Sequence, residues 1–470
     1  MAEARLTILS EPERKRIIDE AYRLVAEVGV RVEDDSMCGR LDRAGADVDA
    51  ASGCVRMPRE MVAEYLGQVP GVCRLETIDG RPIRLGGGDR RRVSLVLDPV
   101  IVDYDEGPRA PRLADVAKHA RIGDALPLVN TTYKMDQGVS DVPIEHVNAA
   151  SLFEFLSNTT QAVTGNPADM ASMRLWLEML EVLLGGNDFR TRPIASFGCH
   201  VTSPFRLGAH ECELMAFLAE RWIPTSAGAC PMAGATSPFT LAGTLLQCLA
   251  ETLFQLATGQ VLQPGLPMMA GTSAFAFNMQ TGDVTAGGIE TTLMDTAYVE
   301  LIRELGLPAS GCIGFADPPA VDVQAGAEAA LASTAMVLTQ ADSLNGLGTI
   351  GNAAGVSAEK IIIDHDLIEM AGRMRQGICV DDVTLAYDAI AQAGPGGDFM
   401  AHEHTIAHLR SGEHYYGGSF GRGGPDHFTG SMLERAHERV AEIVASHVPP
   451  VSDQTREELA RVARKHGAAV

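Results

Sequence analysis

Residues 309–328 decide the fold of the chain; they read Ala-Ser-Gly-Cys-Ile-Gly-Phe-Ala-Asp-Pro-Pro-Ala-Val-Asp-Val-Gln-Ala-Gly-Ala-Glu. The apolar run from Ser310 to Phe315 predicts a buried strand, which ends at Asp317 and the two prolines after it. Asp322 can cap the free N–H groups of a helix that begins there. Polar residues between a buried strand and the next helix lie where α/β folds place their chemistry. The alternative is that Asp322 is only a helix cap and Asp317 only a turn residue.

The same strand–helix unit recurs eight times along the chain. The predicted strands are Val93–Leu97, Leu128–Tyr133, Gln161–Thr164, Ile194–Cys199, Thr225–Ala229, Met268–Gly271, Ser310–Phe315 and Ser343–Gly346. Helical segments follow them near 111–124, 144–158, 168–185, 206–221, 239–259, 288–306, 322–340 and 358–376. This alternation predicts a parallel sheet, and eight units predict an α/β fold of the closed (β/α)8 TIM-barrel type. An open doubly wound sheet is the alternative, but the Gly-rich phosphate loop typical of it is absent from the sequence.

The sequence predicts three parts. Residues 1–92 form an N-terminal helical extension that ends in a polar connection at 70–90, and residues 93–380 form the barrel. Residues 381–470 form a C-terminal cap and helical tail. Within that last part, the Gly-rich and His-rich segment 394–430 is too long for an ordinary connection. It is either disordered or a cover over the barrel, and its aromatic and histidine content favours the cover.

The amino-acid composition argues against two classes of binding partner. The chain has 470 residues, with 38 basic against 61 acidic ones, and its net charge of −23 argues against nucleic acid or an anionic membrane as a partner. Neither a transmembrane segment nor the apolar core of a signal peptide is visible in the sequence. The nine cysteines are scattered without a Cys-x-x-Cys pair, which predicts reduced thiols in a cytoplasmic protein.

In a barrel the active site lies at the carboxyl ends of the strands. These ends mix aromatic, amide and isolated charged groups and offer neither a carboxylate pair nor a Ser-His-Asp arrangement. They hold Asp98, Tyr133, Lys134, Met135, Asp136, Thr164, Gly165, Asn166, Cys199, His200, Cys230, Thr272, Phe315, Ala316, Asp317 and Asn345.

A second group of polar residues follows the barrel, in His402-Glu403-His404. These donors are close enough to bind a metal, but they lack the H-E-x-x-H spacing and do not lie on a first strand. We therefore predict no metal site. A contact of this loop with substrate or partner, or a plain solvated loop, are the two alternatives.

Several segments together resemble the trimethylamine methyltransferase (MttB) family. They are Met-Ala-Gly-Ala-Thr-Ser-Pro-Phe-Thr-Leu-Ala-Gly (232–243), Gly288-Ile289-Glu290, Asp322-x-Gln324-Ala325-Gly326-x-Glu328, and Gly394-Pro395-Gly396-Gly397-x-Phe399 with His404-Thr405. The resemblance implies a barrel that passes a methyl group from a methylated amine to the cobalt(I) of a corrinoid on a separate protein. The corrinoid-binding pattern Asp-x-His-x-x-Gly is absent from the sequence, so we expect no corrinoid bound tightly by this chain. We also expect a homo-oligomer.

The resemblance also limits the compounds that we expect as methyl donor. Archaeal trimethylamine enzymes carry a pyrrolysine at the end of the strand before the Asp-x-Gln segment, where this chain has Gly314-Phe315. The chain therefore resembles the non-pyrrolysine branch, whose known members demethylate quaternary amines such as glycine betaine. Residues 278–282 and 315–319 depart from the family pattern near the presumed pocket. These departures leave the donor open among betaines, carnitine-like amines and sulfonium compounds.

Loss of methyl from a quaternary ammonium yields a neutral amine, so the reaction needs no general acid. It needs aromatic faces and a carboxylate around the cation, and orientation of the methyl group. We predict that Phe315 supplies an aromatic face and Asp317 the balancing charge as the catalytic pair. The predicted substrate-binding residues are Tyr133, Lys134, His200, Phe277, Glu290, Gln324, His402 and His404. Other candidate aromatic faces are Phe205, Phe275, Tyr415 and Tyr416.

Three alternatives stay open at this point. The methyl acceptor could be another compound, such as tetrahydrofolate. The chain could be a metal-dependent lyase or hydrolase that uses His402 and His404. It could also be a betaine-binding protein without catalytic activity.

Overall fold

A computed structural model describes residues 3–87, 92–97, 99–135, 138–272, 274–421 and 430–470. The part before the barrel mixes helices with short strands. Its elements are α1 (Glu11–Glu27), β1 (Val30–Val32), α2 (Asp35–Arg43), β2 (Asp47–Asp49), β3 (Cys54–Arg56), α3 (Arg59–Leu66), β4 (Cys73–Glu76) and β5 (Pro82–Leu85).

Helix α1 begins with a reciprocal cap, because the Glu13 carboxylate accepts a hydrogen bond of 2.8 Å from the Ser10 N–H. Its apolar residues recur at helical spacing and bury Ile18, Ala21 and Val25. These side chains belong to the main hydrophobic core of the protein. The extension is therefore packed into the same body as the barrel.

The polar connection predicted at 70–90 contains the antiparallel hairpin of β4 and β5. Alternate residues of the two strands, Leu75 and Ile83 among them, are buried in one cluster with Ala162 and Met269. Ala162 and Met269 are at the starts of two barrel strands, so the hairpin closes the amino-terminal end of the barrel. The apolar–polar alternation in Cys73–Glu76 was the signal for this strand, and the surrounding charges and glycines obscured it.

The barrel and its helices follow in chain order. Its elements are β6 (Arg92–Leu97), β7 (Val100–Asp103), β8 (Gly107–Arg109), α4 (Leu113–Ala125), β9 (Val129–Met135), α5 (Val147–Ser157), β10 (Ala162–Asn166), α6 (Met170–Leu184), β11 (Ala195–Val201), β12 (Arg206–Leu207), α7 (Ala209–Glu220), β13 (Thr225–Ala229), α8 (Leu241–Leu262), β14 (Met268–Thr272), β15 (Ala276–Asn278), β16 (Asp283–Thr285), α9 (Ile289–Glu304), β17 (Ser310–Cys312), α10 (Val323–Thr339), β18 (Ser343–Leu347), β19 (Thr349–Ile350), β20 (Gly355–Val356) and α11 (Ala358–Gln376).

The described residues form an eight-stranded sheet in the order β14-β13-β11-β10-β9-β6-β18-β17. Each neighbouring pair in this order is parallel. A parallel bridge between Ala270 and Ala309 joins the two ends of the order and closes the sheet into a barrel. The predicted (β/α)8 barrel is confirmed, each of the eight predicted strands is present, and the open-sheet alternative is wrong. Strand β17 is shorter than predicted and ends at Cys312 rather than Phe315.

Five helices follow the barrel in the described residues: α12 (Asp382–Leu385), α13 (Tyr387–Ala393), α14 (Glu403–His408), α15 (Met432–Ser446) and α16 (Asp453–Lys465). Helix α15 packs on α4 and α11, and α16 packs on α5 and α6. Both therefore lie on the outside of the barrel, where they bury Ala436, Val440 and Leu459. Within the described parts of the chain, no helix is long and apolar enough to cross a membrane.

Part of the segment 394–430, which we predicted to cover the barrel, lies at the end of the barrel opposite the mouth. In a barrel the helices run opposite to the strands, so the end of α11 lies at the amino-terminal end of the barrel. There Arg373 of α11 donates a hydrogen bond of 2.7 Å to the carbonyl of Glu413. The side chain of Tyr415 lines a cavity of about 680 Å³ together with Asn130 and Asp342, which are near the starts of β9 and β18. The structure thus places residues 412–415 opposite the mouth, and residues 422–429 of the predicted segment lie outside the described residues.

The hairpin supplies a test of the fold. Leu75 is 2% exposed, and its replacement by Ala leaves a cavity at the base of the barrel. We expect Leu75→Ala to lower the free energy of unfolding by about 2–5 kcal/mol. Urea denaturation followed by circular dichroism measures the loss, and the exposed neighbour Arg74→Ala is the matched control. Equal stability of both variants would contradict the assignment of the hairpin as the base of the core.

Candidate active site at the carboxyl end of the barrel

Strand pleat decides which predicted residues face the interior of the barrel. Ala162 faces the hairpin inside the barrel, so Thr164 and Asn166, which lie two and four residues further, share that face. Tyr133 on β9 is in register with Thr164. Tyr133 therefore faces the interior near the mouth, as a substrate-binding residue must.

The Lys134 side chain lies on the outer face of β9, towards the helices. It is in register with Gly165, and a Cβ atom on Gly165 would lie 3.1 Å from the Trp176 ring of the helix layer. Lys134 is 2% exposed and shares this outer face. The structure therefore does not bring Lys134, a predicted substrate-binding residue, into the barrel interior.

His200 lies inside the mouth, next to Asn166. A Cβ atom on Gly198 would lie 2.5 Å from both the His200 ring and the Asn166 Oδ1 atom, so a glycine is required for these two side chains to meet. Asn166 Oδ1 is buried and has no hydrogen-bond partner within the described chain. Burial lowers the pKa of His200 to about 4. His200 is thus neutral at pH 7, and it can hydrogen-bond a ligand without adding positive charge.

Phe315 lies at the adjoining part of the mouth, after β17. A Cβ atom on Gly346, whose φ is +100°, would lie 2.6 Å from the Phe315 ring, so the ring occupies the space that Gly346 leaves. The rings of Phe275 and Phe315 are 6.1 Å apart at an angle of 38°. Both rings are half-buried, so two aromatic faces meet beside partly open space. Phe277 lies two residues beyond Phe275, in the hairpin of β15 and β16.

A buried ion pair fixes the backbone under Phe315. The Lys360 ammonium lies 2.8 Å from the Asp364 carboxylate and also donates to the carbonyl of Gly314. Asp364 in turn accepts a hydrogen bond of 2.8 Å from the Gly348 N–H. Burial raises the pKa of Asp364, and the charge of Lys360 opposes this rise. This pair was not predicted, although a Lys and an Asp four residues apart in an apolar helix are a signal for it.

Asp317 connects the loops around the mouth. Its Oδ1 atom accepts a hydrogen bond of 2.7 Å from the Gly287 N–H, and its own N–H donates to Glu328 at 2.8 Å. Burial raises the pKa of Asp317 and the charge of Glu328 raises it further, although the Gly287 hydrogen bond lowers it. Gln324 donates to the other Glu328 oxygen at 2.7 Å, so Asp317 and Gln324 share one network. Glu290 is exposed in the first turn of α9.

His402 and His404 lie apart from these residues. His402 caps α14 by accepting a hydrogen bond of 3.1 Å from the His404 N–H, and the His404 ring lies 4.3 Å from that of His408. The hydrogen bonds and ring contacts of the described chain join neither histidine to the mouth. Within the described residues, the group with metal-ligand spacing is His365, Asp366 and Glu369, which does not include His402 or His404.

The closed eight-stranded parallel sheet, with its polar and aromatic loops at the carboxyl end, defines the class of the protein, a (β/α)8 barrel. A sequence model of the trimethylamine methyltransferase (MTTB) family matches residues 2–469. The chain belongs to this family of methyltransferases.

The similar proteins are methyltransferases of betaine or methylamines, and their sequence identity to this chain is modest. The chain is 26% identical over 462 residues to glycine betaine methyltransferase of Desulfitobacterium hafniense strain Y51, covering 95% of this chain and 94% of that protein. It is 25% identical over 474 residues to trimethylamine methyltransferase MttB of Methanosarcina barkeri strain Fusaro, covering 95% and 92%. The crystal structure of the monomethylamine methyltransferase MtmB of Methanosarcina barkeri superposes with a TM-score of 0.49 and 12% identity over 97% of this chain and 93% of that one. The barrel assignment therefore rests on the strand order of this chain.

The ion pair yields a prediction on stability. Lys360→Met leaves the Asp364 carboxylate buried without its counter-charge, so we expect a loss of about 3–5 kcal/mol in the free energy of unfolding. The double variant Lys360→Met/Asp364→Leu removes both charges and should recover most of that loss. Urea denaturation of the two variants and the wild type measures both effects. A double variant as unstable as the single one would show that the pair is not coupled.

His200 yields a prediction on pH. The unfolded chain binds a proton at His200 below about pH 6.5, whereas the folded chain does so only near pH 4. Protonation of His200 in the unfolded chain therefore does not lower the free energy of unfolding above pH 6.5. It lowers this free energy progressively as the pH falls from 6.5 towards 4. We expect His200→Asn to lose less stability between pH 7.5 and pH 5 than the wild type does. Urea denaturation midpoints at both pH values measure these losses, with the exposed His414→Asn as control. If His200→Asn lost as much stability between the two pH values as the wild type, the prediction would be wrong.

Proposed function

We propose that the protein transfers a methyl group from a quaternary ammonium or sulfonium compound to the cobalt(I) of a corrinoid on a separate protein. The observation that carries this proposal is the pair of half-buried rings of Phe275 and Phe315 at the mouth of the barrel. The name of the glycine betaine methyltransferase relative supports a quaternary amine as donor. The residues Gly314-Phe315, in place of a pyrrolysine, support the same assignment.

The chemistry fits a pocket without an acid–base pair. When the methyl–nitrogen bond breaks, its electron pair stays on nitrogen and the amine leaves neutral, while cobalt(I) supplies the pair for the new bond. The pocket must bind the cation and aim the methyl group outwards. Phe315 offers a face of the ring quadrupole, and Asp317, two residues further along the same loop, offers negative charge. A neutral His200 adds no repulsion to the cation and can donate a hydrogen bond to a substrate carboxylate.

The loops at the carboxyl end offer a docking surface for the corrinoid protein. Phe239 and Met279 lie on the loops after β13 and β14, and Val323 is the first residue of α10; they are 67%, 62% and 90% exposed. A Cβ atom on Gly234 would lie 2.8 Å from the Phe239 ring and 3.2 Å from the Met279 sulfur, so these two side chains adjoin. Exposed apolar side chains that border a mouth are typical of a surface that another protein covers.

The direct experiment mixes the purified chain with a reduced corrinoid protein and a panel of methylated amines and sulfonium compounds. The proposal predicts a change in the corrinoid absorption spectrum with one donor class. Binding of a betaine without methyl transfer would favour the betaine-binding alternative. Methyl transfer to tetrahydrofolate without corrinoid would favour the other acceptor. A stoichiometric metal that is lost in His404→Ala would favour the lyase or hydrolase.

Phe315 provides the first variant. A cation–π face contributes about 0.5–2 kcal/mol, so Phe315→Ala should weaken donor binding by no more than about thirtyfold. Phe239→Ser is the matched aromatic control at the rim. It should leave donor affinity unchanged and raise the KM for the corrinoid protein. Calorimetric titration of the donor and steady-state kinetics separate the two effects, and wild-type donor affinity in Phe315→Ala would remove this strand end from the site.

Asp317 provides the second variant. If its charge balances the cation, Asp317→Asn should weaken binding of a quaternary ammonium far more than binding of a neutral isosteric compound, in which carbon replaces the ammonium nitrogen. Competition binding with the two compounds measures the ratio of the losses. An equal loss for both would mean that Asp317 acts only through its hydrogen bonds to Gly287 and neighbouring loops.

The cytoplasmic location stays a prediction. It rests on the nine cysteines, which form no disulfide within the described structure.

A further inference from the structure

Three side chains of α11 bring one nitrogen and two oxygen donors together. They are His365, Asp366 and Glu369, and one donor atom from each lies within 4.8 Å of the other two. His365 and Glu369 are four residues apart, so they lie one above the other on the same face of the helix. Two ligand atoms that are about 2.0–2.2 Å from one ion lie roughly 3.3–4.4 Å from each other. Small shifts of the three side chains therefore bring all of them to a common ion.

The imidazole of His365 is buried without the hydrogen bonds that a buried ring needs. Its side chain is 6% exposed, and its Nδ1 atom lies 3.6 Å from Oδ1 of Asp366, beyond the length of a hydrogen bond. Its Nε2 atom is enclosed and has no hydrogen-bond partner within the described chain. The separation of 3.6 Å is close to that of two ligand atoms on a tetrahedral ion. Since an enclosed polar group without a partner is costly, this ring points to a ligand.

The chain that returns after α14 orients the two carboxylates and leaves one oxygen of each available. Oδ2 of Asp366 accepts hydrogen bonds from the N–H of Ser419 at 2.5 Å and from its O–H at 2.6 Å. Oε2 of Glu369 accepts a hydrogen bond of 3.1 Å from the O–H of Tyr415. Within the described chain, neither carboxylate has a Lys or Arg partner within 4.0 Å. Outer partners of this kind fix the orientation of metal ligands in proteins.

A cavity gives access to the group. His365 and Asp366 line a cavity of about 440 Å³ between α11, α15 and Leu126 and Pro127, which lie just before β9. The other charged side chains of its described lining are two arginines and two glutamates, all on α15. These four charges balance, so they do not neutralise the carboxylates of α11. The cavity also leaves room for water molecules as further ligands of an ion.

We propose that His365, Asp366 and Glu369 bind one divalent first-row metal ion, such as Zn²⁺ or Mn²⁺. Imidazole and carboxylate together suit these ions, whereas Mg²⁺ and Ca²⁺ are bound by oxygen ligands. The site lies beside the loop before β9, away from the mouth of the barrel, so the proposal does not depend on methyl transfer. The ion fixes the two carboxylates to which Tyr415 and Ser419 bind, and it thereby holds the returning chain against α11.

The test titrates Zn²⁺ and Mn²⁺ into the full chain, which carries no histidine tag and has been freed of metal with a chelator. Calorimetry should give one ion per chain. His365→Gln and Glu369→Gln should each weaken binding by at least about a hundredfold, and Ser419→Ala, which removes only an outer partner, by about ten- to hundredfold. Glu438→Gln is the matched control, because it removes a negative charge from the lining of the same cavity but no donor. It should bind like the wild type.

Other outcomes would overturn the proposal. A wild type that binds no stoichiometric ion, or ligand variants with wild-type affinity, would show that the three side chains hold no metal. Loss of the ion in His404→Ala would assign it to His402 and His404 instead. Binding of Mg²⁺ as tightly as Zn²⁺ would contradict the imidazole as a ligand.

Hydrogen exchange of the wild type keeps the test decisive if a ligand variant folds poorly. Zn²⁺ should slow exchange in the last turns of α11 and at residues 415–419, and a chelator should reverse this effect. Protection confined to α14, or unchanged exchange at both places, would contradict the proposed site.

Discussion

The buried ion pair of Lys360 and Asp364 is the interaction on which the mouth of the barrel depends. Lys360 donates to the carbonyl of Gly314, two residues after β17, and Asp364 accepts a hydrogen bond from the N–H of Gly348, directly after β18. Gly314 has a φ of +70°, a conformation that other residues rarely adopt, so the chain turns sharply before Phe315. The ion pair holds this turn in place, and the space beside Gly346 then receives the Phe315 ring. A rigid support of this kind is what a binding site needs from residues that do not touch the ligand.

The glycines on the interior face of the barrel complement this support. His200 is in register with Gly228, and Gly228 with Gly271. Three adjacent strands therefore present one imidazole and two positions without side chains in the same layer near the mouth. A Cβ atom on Gly228 would lie 2.3 Å from the carbonyl oxygen of Gly271, so the close approach of these two strands requires a glycine there. The shape of the barrel near the mouth therefore depends on its glycines as well as on the side chains around them.

The sequence was sufficient for the fold and only partly sufficient for the site. The eight strands could be predicted because each is a short apolar run before a longer helical segment, as Ser310–Phe315 illustrates. Tyr133 and Lys134 show where such reasoning stops. Adjacent residues of a strand face opposite sides, so both could not face the interior, but the register that decides between them becomes visible only in the assembled sheet. Sequence composition alone could not show that Lys360 is buried, because lysines are almost always exposed.

The position of the segment after α11 could not be predicted for a different reason. Its histidines and aromatic residues are the types that binding sites use, and the sequence does not reveal to which end of the barrel a connection after α11 returns. The direction of α11 decides this, because a helix that runs opposite to its strand delivers the chain to the amino-terminal end. The barrel therefore has two functionally distinct ends. The carboxyl end carries the aromatic rings of Phe275 and Phe315 and the exposed side chains of Phe239 and Met279. The amino-terminal end is closed by the hairpin of β4 and β5, and residues 412–415 of the segment after α11 return to it.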